Sequence, residues 1–214
     1  MGGRLQNSGQ RGKGPVEAAR ITIAEMPPDV ALAPGDFWVF AYGSLMWQPG
    51  FDYIRAEPAR LQGRHRAFCM RSIHYRGTVE NPGLVLGLAP GGSCIGRAFS
   101  VSAAARLNTI AYLRERELIS YVYLESLVPI HLMESGKNVR ALTYIADQHS
   151  PQFAGDMAID QQAKIIANAR GSSGPNVDYL RHTLHAMAGL GLRPGRLGTL
   201  MRKVDQLIDQ PQRE

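Results

Sequence analysis

Phe37–Trp38–Val39–Phe40–Ala41–Tyr42–Gly43–Ser44–Leu45–Met46–Trp47 is the stretch that decides how this chain is read. The run from Phe37 to Tyr42 is aromatic and apolar throughout, and Gly43–Ser44 closes it, which predicts a short buried strand ending in a glycine turn. Such a turn can aim consecutive backbone N–H groups at an anion or at a developing oxyanion. A serine just after a strand also invites a hydrolase reading. The elbow G-x-S-x-G, however, needs glycine two residues either side of the serine, and here Tyr42 and Met46 hold those places.

Working outward, Arg60 to Ile73 reads as a second extended stretch. Leu84–Leu88, Pro90–Gly91–Gly92 and Cys94–Val101 together predict a β-hairpin. Ser102 is a candidate N-cap for a helix from Ala103 to about Ser120. Val128–Met133 and Val139–Ala146 flank Glu134–Ser135–Gly136–Lys137 as a second hairpin. The last third predicts helices over Ile159–Ala169, Asn176–Leu190 and Leu197–Leu207, separated by Gly, Pro and Ser breaks. Strands early and helices late give an α+β fold, a small mixed β-barrel or curved sheet with packed helices and a helical C-terminal region. Residues 1–33 read as a disordered or loosely docked arm, with Ala18–Met26 as a short helical or docking segment ended by Pro27–Pro28. The folded domain is expected over 34–214.

The chain has 214 residues, of which 44% are hydrophobic and 20% charged, a balance that suits one globular domain. It contains no apolar run approaching the roughly 18 residues of a membrane span, and no apolar segment within Met1–Val16 that would suggest a secretory signal. Cys69 and Cys94 are too few for a disulfide scaffold or a cysteine-rich zinc site, and read as buried thiols in a reducing compartment, by default the cytoplasm. The net charge of +6 raises nucleic acid as a partner. Three of those charges, Arg4, Arg11 and Lys13, lie in the first sixteen residues. The remaining arginines are scattered, without interleaved aromatics, so the balance suits a small anionic substrate better than a polyanion.

Other chemical signals are weak. Gly189–Leu190–Gly191–Leu192–Arg193–Pro194–Gly195 imitates a dinucleotide loop but follows a helix, and reads as a helix–helix connector. His182 and His185 lack a carboxylate partner and read as a solvated helix face, so no metal is expected. His65 and Cys69 could form a nucleophile pair, against which a buried structural cysteine is the plainer reading. On the helix after Ser102, Leu107, Ile110, Ala111, Leu118 and Tyr121 share a face at 100° per residue. Glu117 lies at its edge, between Ile110 and Leu113, and Glu115 points to solvent. Two readings of Glu117 stay open at this point: an ion pair with Arg114, or a half-buried general base with a raised pKa.

Tyr42–Gly43–Ser44–Leu45, Arg76–Gly77 with Pro82–Gly83, Arg116–Glu117 with Tyr123, and Arg170–Gly171 with Asn176 stand in that order, and over about Asp36 to Val204 they resemble the ChaC-like γ-glutamylcyclotransferases, the glutathione-specific branch of that superfamily. Phe40–Ala41–Tyr42–Gly43–Ser44–Leu45–Met46–Trp47 is similar to the family's F-G-Y-G-S-L-x-W, with Ala41 in place of the usual glycine. Arg76–Gly77–Thr78–Val79–Glu80–Asn81–Pro82–Gly83 resembles its R-G-x-x-x-x-P-G loop. Tyr112–Leu113, Arg116–Glu117 and Tyr123 follow Y-L-x-x-R-E with a tyrosine six residues on, although Tyr121–Val122 stand where a glycine is usual. Arg170–Gly171–Ser172–Ser173–Gly174–Pro175–Asn176, then Tyr179–Leu180, is similar to R-G-x-S-G-x-N-x-x-Y-L.

The resemblance implies cofactor-free cyclisation: the α-amine of a γ-glutamyl group attacks its own γ-carbonyl, giving 5-oxoproline and, from glutathione, Cys-Gly. It implies Glu117 as general acid/base. Val39, Phe40, Ala41, Tyr42, Gly43, Ser44 and Leu45 are implied as the substrate loop, Tyr123 and Tyr144 as pocket tyrosines, and Arg76 as a contact for the distal carboxylate. Other γ-glutamyl amino acids or amines would use the same chemistry. A non-catalytic binding module is the alternative from a different class.

Overall fold

The computed structural model describes residues 35–118 and 122–209. The arm expected over 1–33, including Ala18–Met26, lies outside the described residues, as do Ser120 and Tyr121.

The Phe37–Tyr42 run forms β1 (Phe37–Ala41), with every residue buried. One side, with Trp38 and Phe40, joins a core shared with the late helices. The other, with Phe37, Val39 and Ala41, joins a core around Phe99, Ile110 and Leu113. Burial on both sides is why the run is continuous rather than alternating. At about 1.5–3 kcal/mol for each large apolar side chain removed from water, this one strand contributes more burial per residue than most of the fold.

Two long strands follow, β2 (Arg55–Ser72) and β3 (Gly83–Val101), antiparallel from Arg55↔Ser100 to Ser72↔Gly83. The hairpin expected at Pro90–Gly91–Gly92 is therefore not formed, since β3 runs straight through it. Gly91 and Gly92 adopt φ of +87° and +67°, opposite a register shift between Gln62 and Arg64. Glycine takes this conformation without a Cβ penalty, and the resulting bulge bends a long strand pair as barrel closure requires. The actual turn between β2 and β3 is residues 73–82, the loop that carries Arg76.

The helix after Ser102 is α1 (Arg106–Glu117), and Ser102 Oγ accepts from the Ala105 N–H at 3.2 Å. Its buried residues are Arg106, Thr109, Ile110 and Leu113, whereas Leu107 is exposed. The inward face is thus rotated from the one expected. Arg106 turns inward because its guanidinium packs over the Phe37 ring and donates to the Gly35 carbonyl.

Strands β4 (Tyr123–Leu132) and β5 (Asn138–Ala146) form the second hairpin, starting five residues earlier than expected. Parallel pairing of β1 with β5 closes a five-stranded barrel in the order β1-β3-β2-β4-β5. Then come α2 (Ile159–Asn168), a two-residue ladder of β6 (Arg170–Gly171) with β7 (Gly174–Pro175), α3 (Asn176–Ala188) and α4 (Gly195–Ile208). The glycine-rich 189–195 segment is the α3–α4 connector, as expected. Ile166, Leu180, Leu200 and Val204 bring these helices into the Trp38–Phe40 core. No helix among the described residues is long and apolar enough to cross a membrane.

Candidate active site

Where β1 leaves the barrel, Tyr42–Gly43 leads into a single 3₁₀ turn, Ser44–Met46. Met46 N–H donates to the Gly43 carbonyl at 2.9 Å, and Trp47 and Gln48 N–H donate to that of Ser44 at 3.2 and 2.9 Å. The opening N–H groups of such a turn have no acceptor within it, so those of Ser44 and Leu45 are left for another partner. A side chain at position 43 has no room, because a Cβ there would stand 2.9 Å from the Tyr179 hydroxyl.

The turn borders a cleft of about 620 Å³. Glu117, at the end of α1, enters it beside Tyr42, Tyr123, Tyr144 and Tyr179, and the 73–82 loop contributes Tyr75 and Arg76 at the other side. Phe40, Ala41, Gly43, Ser44 and Leu45 also line it. Of the expected loop residues Val39 does not: it is fully buried in the core against α1, because strand alternation turns it away from its neighbours.

Burial raises the pKa of Glu117, and Arg116 beside it partly opposes the rise. The carboxylate is 18% exposed, with Oε1 3.1 Å from Arg116 Nε. Its cation is therefore Arg116 rather than the Arg114 considered from the sequence. Arg114 instead makes a two-pronged pair with Glu125, Nε–Oε2 2.8 Å and Nη2–Oε1 2.7 Å. Glu115 is exposed, as expected.

Burial also pushes the four tyrosines above the ordinary phenol range. They stay protonated, and three of them are hydrogen-bond donors. Tyr42 donates to the Tyr144 carbonyl at 2.7 Å, Tyr123 to the Leu86 carbonyl at 2.8 Å, and Tyr144 to Glu125 Oε2 at 3.2 Å. Glu125 stands directly opposite Tyr144 in the β4–β5 ladder. Arg76 Nη1 donates to the carbonyls of Ser173 and Pro175 at 2.7 and 3.1 Å, so much of its guanidinium fastens the 73–82 loop to β7.

Sequence reasoning missed Arg116, Glu125, Tyr179 and Arg71 as residues of or behind this cleft. Arg116 and Tyr179 lay inside quoted motifs. Glu125 shares a strand face with Tyr123, two residues away, a signal that needed the hairpin to begin at Tyr123. Arg71 lines the cleft, and its side chain makes no hydrogen bond or ion pair among the described residues.

Ser44 Oγ accepts from Arg116 Nη2 at 2.9 Å, and no histidine among the described residues is hydrogen-bonded to it. His182 and His185 are exposed. Among the described residues no group of three or more His, Cys, Asp or Glu side chains gathers as a metal centre would need. His65 contacts the Gly91 carbonyl rather than Cys69, whose thiol is pushed up to about 11 by burial. Cys69 and Cys94 should therefore resist iodoacetamide at pH 8 in the folded protein and react in urea, as read by mass. Native-state labelling at the rate of a free thiol would contradict this.

The model of the family described as ChaC-like protein matches residues 37–208. The chain is 33% identical over 193 residues to the glutathione-specific gamma-glutamylcyclotransferase of Escherichia coli (strain K12), covering 89% of this chain and 83% of that one. It is 36% identical over 167 residues to the protein of the same name from Schizosaccharomyces pombe, covering 68% and 80%. The crystal structure of a yeast γ-glutamyl cyclotransferase specific to glutathione superposes with a TM-score of 0.75 at 24% identity, over 84% of this chain and all of that one, and so shares the α+β barrel fold.

Proposed function

The chain belongs to the ChaC-like protein family, and from that premise we propose that it is a γ-glutamylcyclotransferase acting on glutathione, releasing 5-oxoproline and Cys-Gly. The observation that carries the reading is the placement of Glu117, buried enough to raise its proton affinity, in the same cleft as the turn Tyr42–Leu45 and joined to it through one guanidinium.

The chemistry follows from that arrangement. The γ-glutamyl α-amine is nucleophilic only after it loses a proton, and Glu117 as carboxylate takes it. That first proton passes on to water and the free nitrogen attacks the γ-carbonyl carbon; as the five-membered ring closes and oxygen takes up negative charge, the ring nitrogen, now cationic, gives its second proton to Glu117. The opening N–H groups of the Ser44–Met46 turn are the donors available to that oxygen. Glu117 then returns the proton to the departing amide nitrogen, and the C–N bond breaks. One group serves both transfers because its raised pKa lies nearer neutrality than that of a free carboxyl. Attack is intramolecular, so amine and carbonyl are already tethered, and the site has only to hold the chain in a near-attack fold. Tyr123 and Tyr144, whose hydroxyl protons are held by the Leu86 carbonyl and by Glu125, would orient the γ-glutamyl end by accepting from its N–H groups. The remaining readings are proposals of the same kind: a small-molecule substrate rather than nucleic acid, one folded unit over 34–214, and a reducing compartment such as the cytoplasm for two buried free thiols.

Incubation with glutathione tests this reading, with 5-oxoproline and Cys-Gly expected in equal amounts. Release from γ-Glu-Ala but not glutathione would move the substrate to another γ-glutamyl compound, and no release from either would end the enzyme reading.

For the distal carboxylate, Arg76 has already engaged Nη1 with two carbonyls, so Arg71 at the same cleft is assigned the larger share. Arg71 is exposed, and an exposed ion pair is worth at most about 1 kcal/mol, or about fivefold in affinity. The glycine ethyl ester of glutathione should show a KM about fivefold higher than glutathione, and Arg71→Ala should erase that difference. An undiminished difference in the variant would return the role to Arg76.

A further inference from the structure

Arg116 reaches four different groups around the cleft. Its Nε lies 3.1 Å from Glu117 Oε1, and Nη2 donates to Ser44 Oγ at 2.9 Å. Nη1 donates to the Gln48 carbonyl at 2.7 Å and to the Tyr112 hydroxyl at 2.8 Å. Ser44 opens the 3₁₀ turn and Gln48 follows it, so one guanidinium ties both ends of the turn to the end of α1. A planar fork of donors can do this, whereas an ammonium cannot meet four acceptors spread around its plane.

We propose that Arg116 is the positioning residue of this site, holding the Glu117 carboxylate in fixed relation to the Tyr42–Leu45 turn so that proton acceptor and oxyanion donors address the same substrate carbon. The inference rests on the cyclotransferase reading above. The carboxylate and the turn sit on separate elements, a helix end and a strand end, and among the described residues no other hydrogen bond joins them. A misplacement of about 1 Å at such a centre can cost about 100-fold in rate.

The groups facing Glu117 make the electrostatic side testable. Tyr42 from the end of β1, Tyr123 from β4, Tyr144 from β5 and Tyr179 from α3 all feel its charge, and all are neutral. Glu125 stands behind Tyr144 and is paired to Arg114. Arg116 is the cation that lowers the proton affinity of Glu117 against the effect of burial. Removing it lets burial act unopposed, so the carboxylate becomes harder to form and the acid limb of the pH–rate profile moves to higher pH.

The experiment compares wild type, Arg116→Gln and Arg116→Lys by kcat and KM for 5-oxoproline release from glutathione across pH 5–9. Titration of the Glu117 carboxyl by ¹³C NMR accompanies it. For Arg116→Gln, kcat should fall about 100-fold with a much smaller change in KM, and the acid limb should move up in pH. Arg116→Lys should restore the acid limb, because it restores charge, but recover kcat only in part. An unchanged pH profile in Arg116→Gln, or a rate loss matching the loss of folded protein by circular dichroism, would overturn the proposal. If wild type releases no 5-oxoproline, it is the enzyme reading that fails. The carboxyl titration still decides the clamp: a higher Glu117 pKa in Arg116→Gln upholds it, and an equal one ends it.

Discussion

Replacing Glu117 by glutamine should lower 5-oxoproline release about 1000-fold or more and yet leave the protein at least as stable as the parent at pH 8. The rate side follows from the two proton transfers assigned to one carboxyl, since a positioned acid–base group contributes about 10²–10⁴-fold. The stability side follows from the direction of its pKa. Burial raises the folded value above that of the unfolded chain. Between the two values the folded state binds the extra proton, so stability falls as pH rises through that window and the deficit is complete above it. Glutamine carries no charge, keeps an oxygen for the Arg116 N–H, and escapes the deficit. Arg116 is left without its anion, but at 20% exposure it retains water and its bonds to Ser44, Gln48 and Tyr112. Thermal unfolding at pH 8 and pH 4 checks the sign: the variant should melt at an equal or higher temperature at pH 8, with the difference gone at pH 4. Full turnover in the variant would remove Glu117 from the mechanism. A fall in melting temperature at pH 8 would make it a structural anchor.

That prediction starts from a residue the sequence singled out, and the reasons differ from site to site. β1 was legible because six continuous apolar residues before Gly43–Ser44 have few alternative fates. The three late helices were legible because Gly, Pro and Ser punctuate them. Gly91–Gly92 was misread because a glycine pair marks a bulge as readily as a hairpin turn, and the choice depends on whether the flanking segments pair with each other or with a third strand. Both flanks of Gly91–Gly92 pair with β2. The face of α1 was misread because a helical wheel places apolar residues inward, whereas Arg106 is buried by Phe37 and the Gly35 carbonyl, contacts made across the chain. The Arg114–Glu125–Tyr144 chain was invisible for a related reason: it requires the register Glu125↔Tyr144, which no local pattern fixes. Glu117 is ambiguous from spacing alone, and only the motif around it makes a general base the expected role. The residue that holds it, Arg116, stood next to it in the chain and was passed over, because adjacent helical residues do not normally share a face.

Asn176→Ala should unfold the protein about 5–15 °C earlier while leaving the chemistry of the surviving folded protein nearly intact. Asn176 belongs to the fourth motif, next to residues that line the cleft, but its side chain does something else. It is fully buried at the start of α3, Oδ1 accepting from the Leu84 N–H at 2.7 Å and Nδ2 donating to the Leu84 carbonyl at 2.8 Å. Leu84 is the second residue of β3, and β1 pairs with β3 only over Arg97–Val101. At its Leu84 end, that edge of the strand therefore lacks a β1 partner, and the carboxamide presents the donor and acceptor that a neighbouring strand would have supplied. Alanine leaves two buried backbone groups unsatisfied, at about 1–3 kcal/mol each. The total of roughly 2–6 kcal/mol, at about 2–4 °C per kcal/mol for a chain of this size, brackets a shift of about 5–15 °C. Aspartate is not a remedy, because its second oxygen would face the Leu84 carbonyl with no hydrogen between them. Both variants should therefore lose stability, with kcat at 15 °C within about threefold of wild type per folded molecule. A stable Asn176→Ala protein with a large rise in KM would instead place Asn176 among the substrate contacts, and a stable one with unchanged kinetics would show that β3 does not depend on this bond pair.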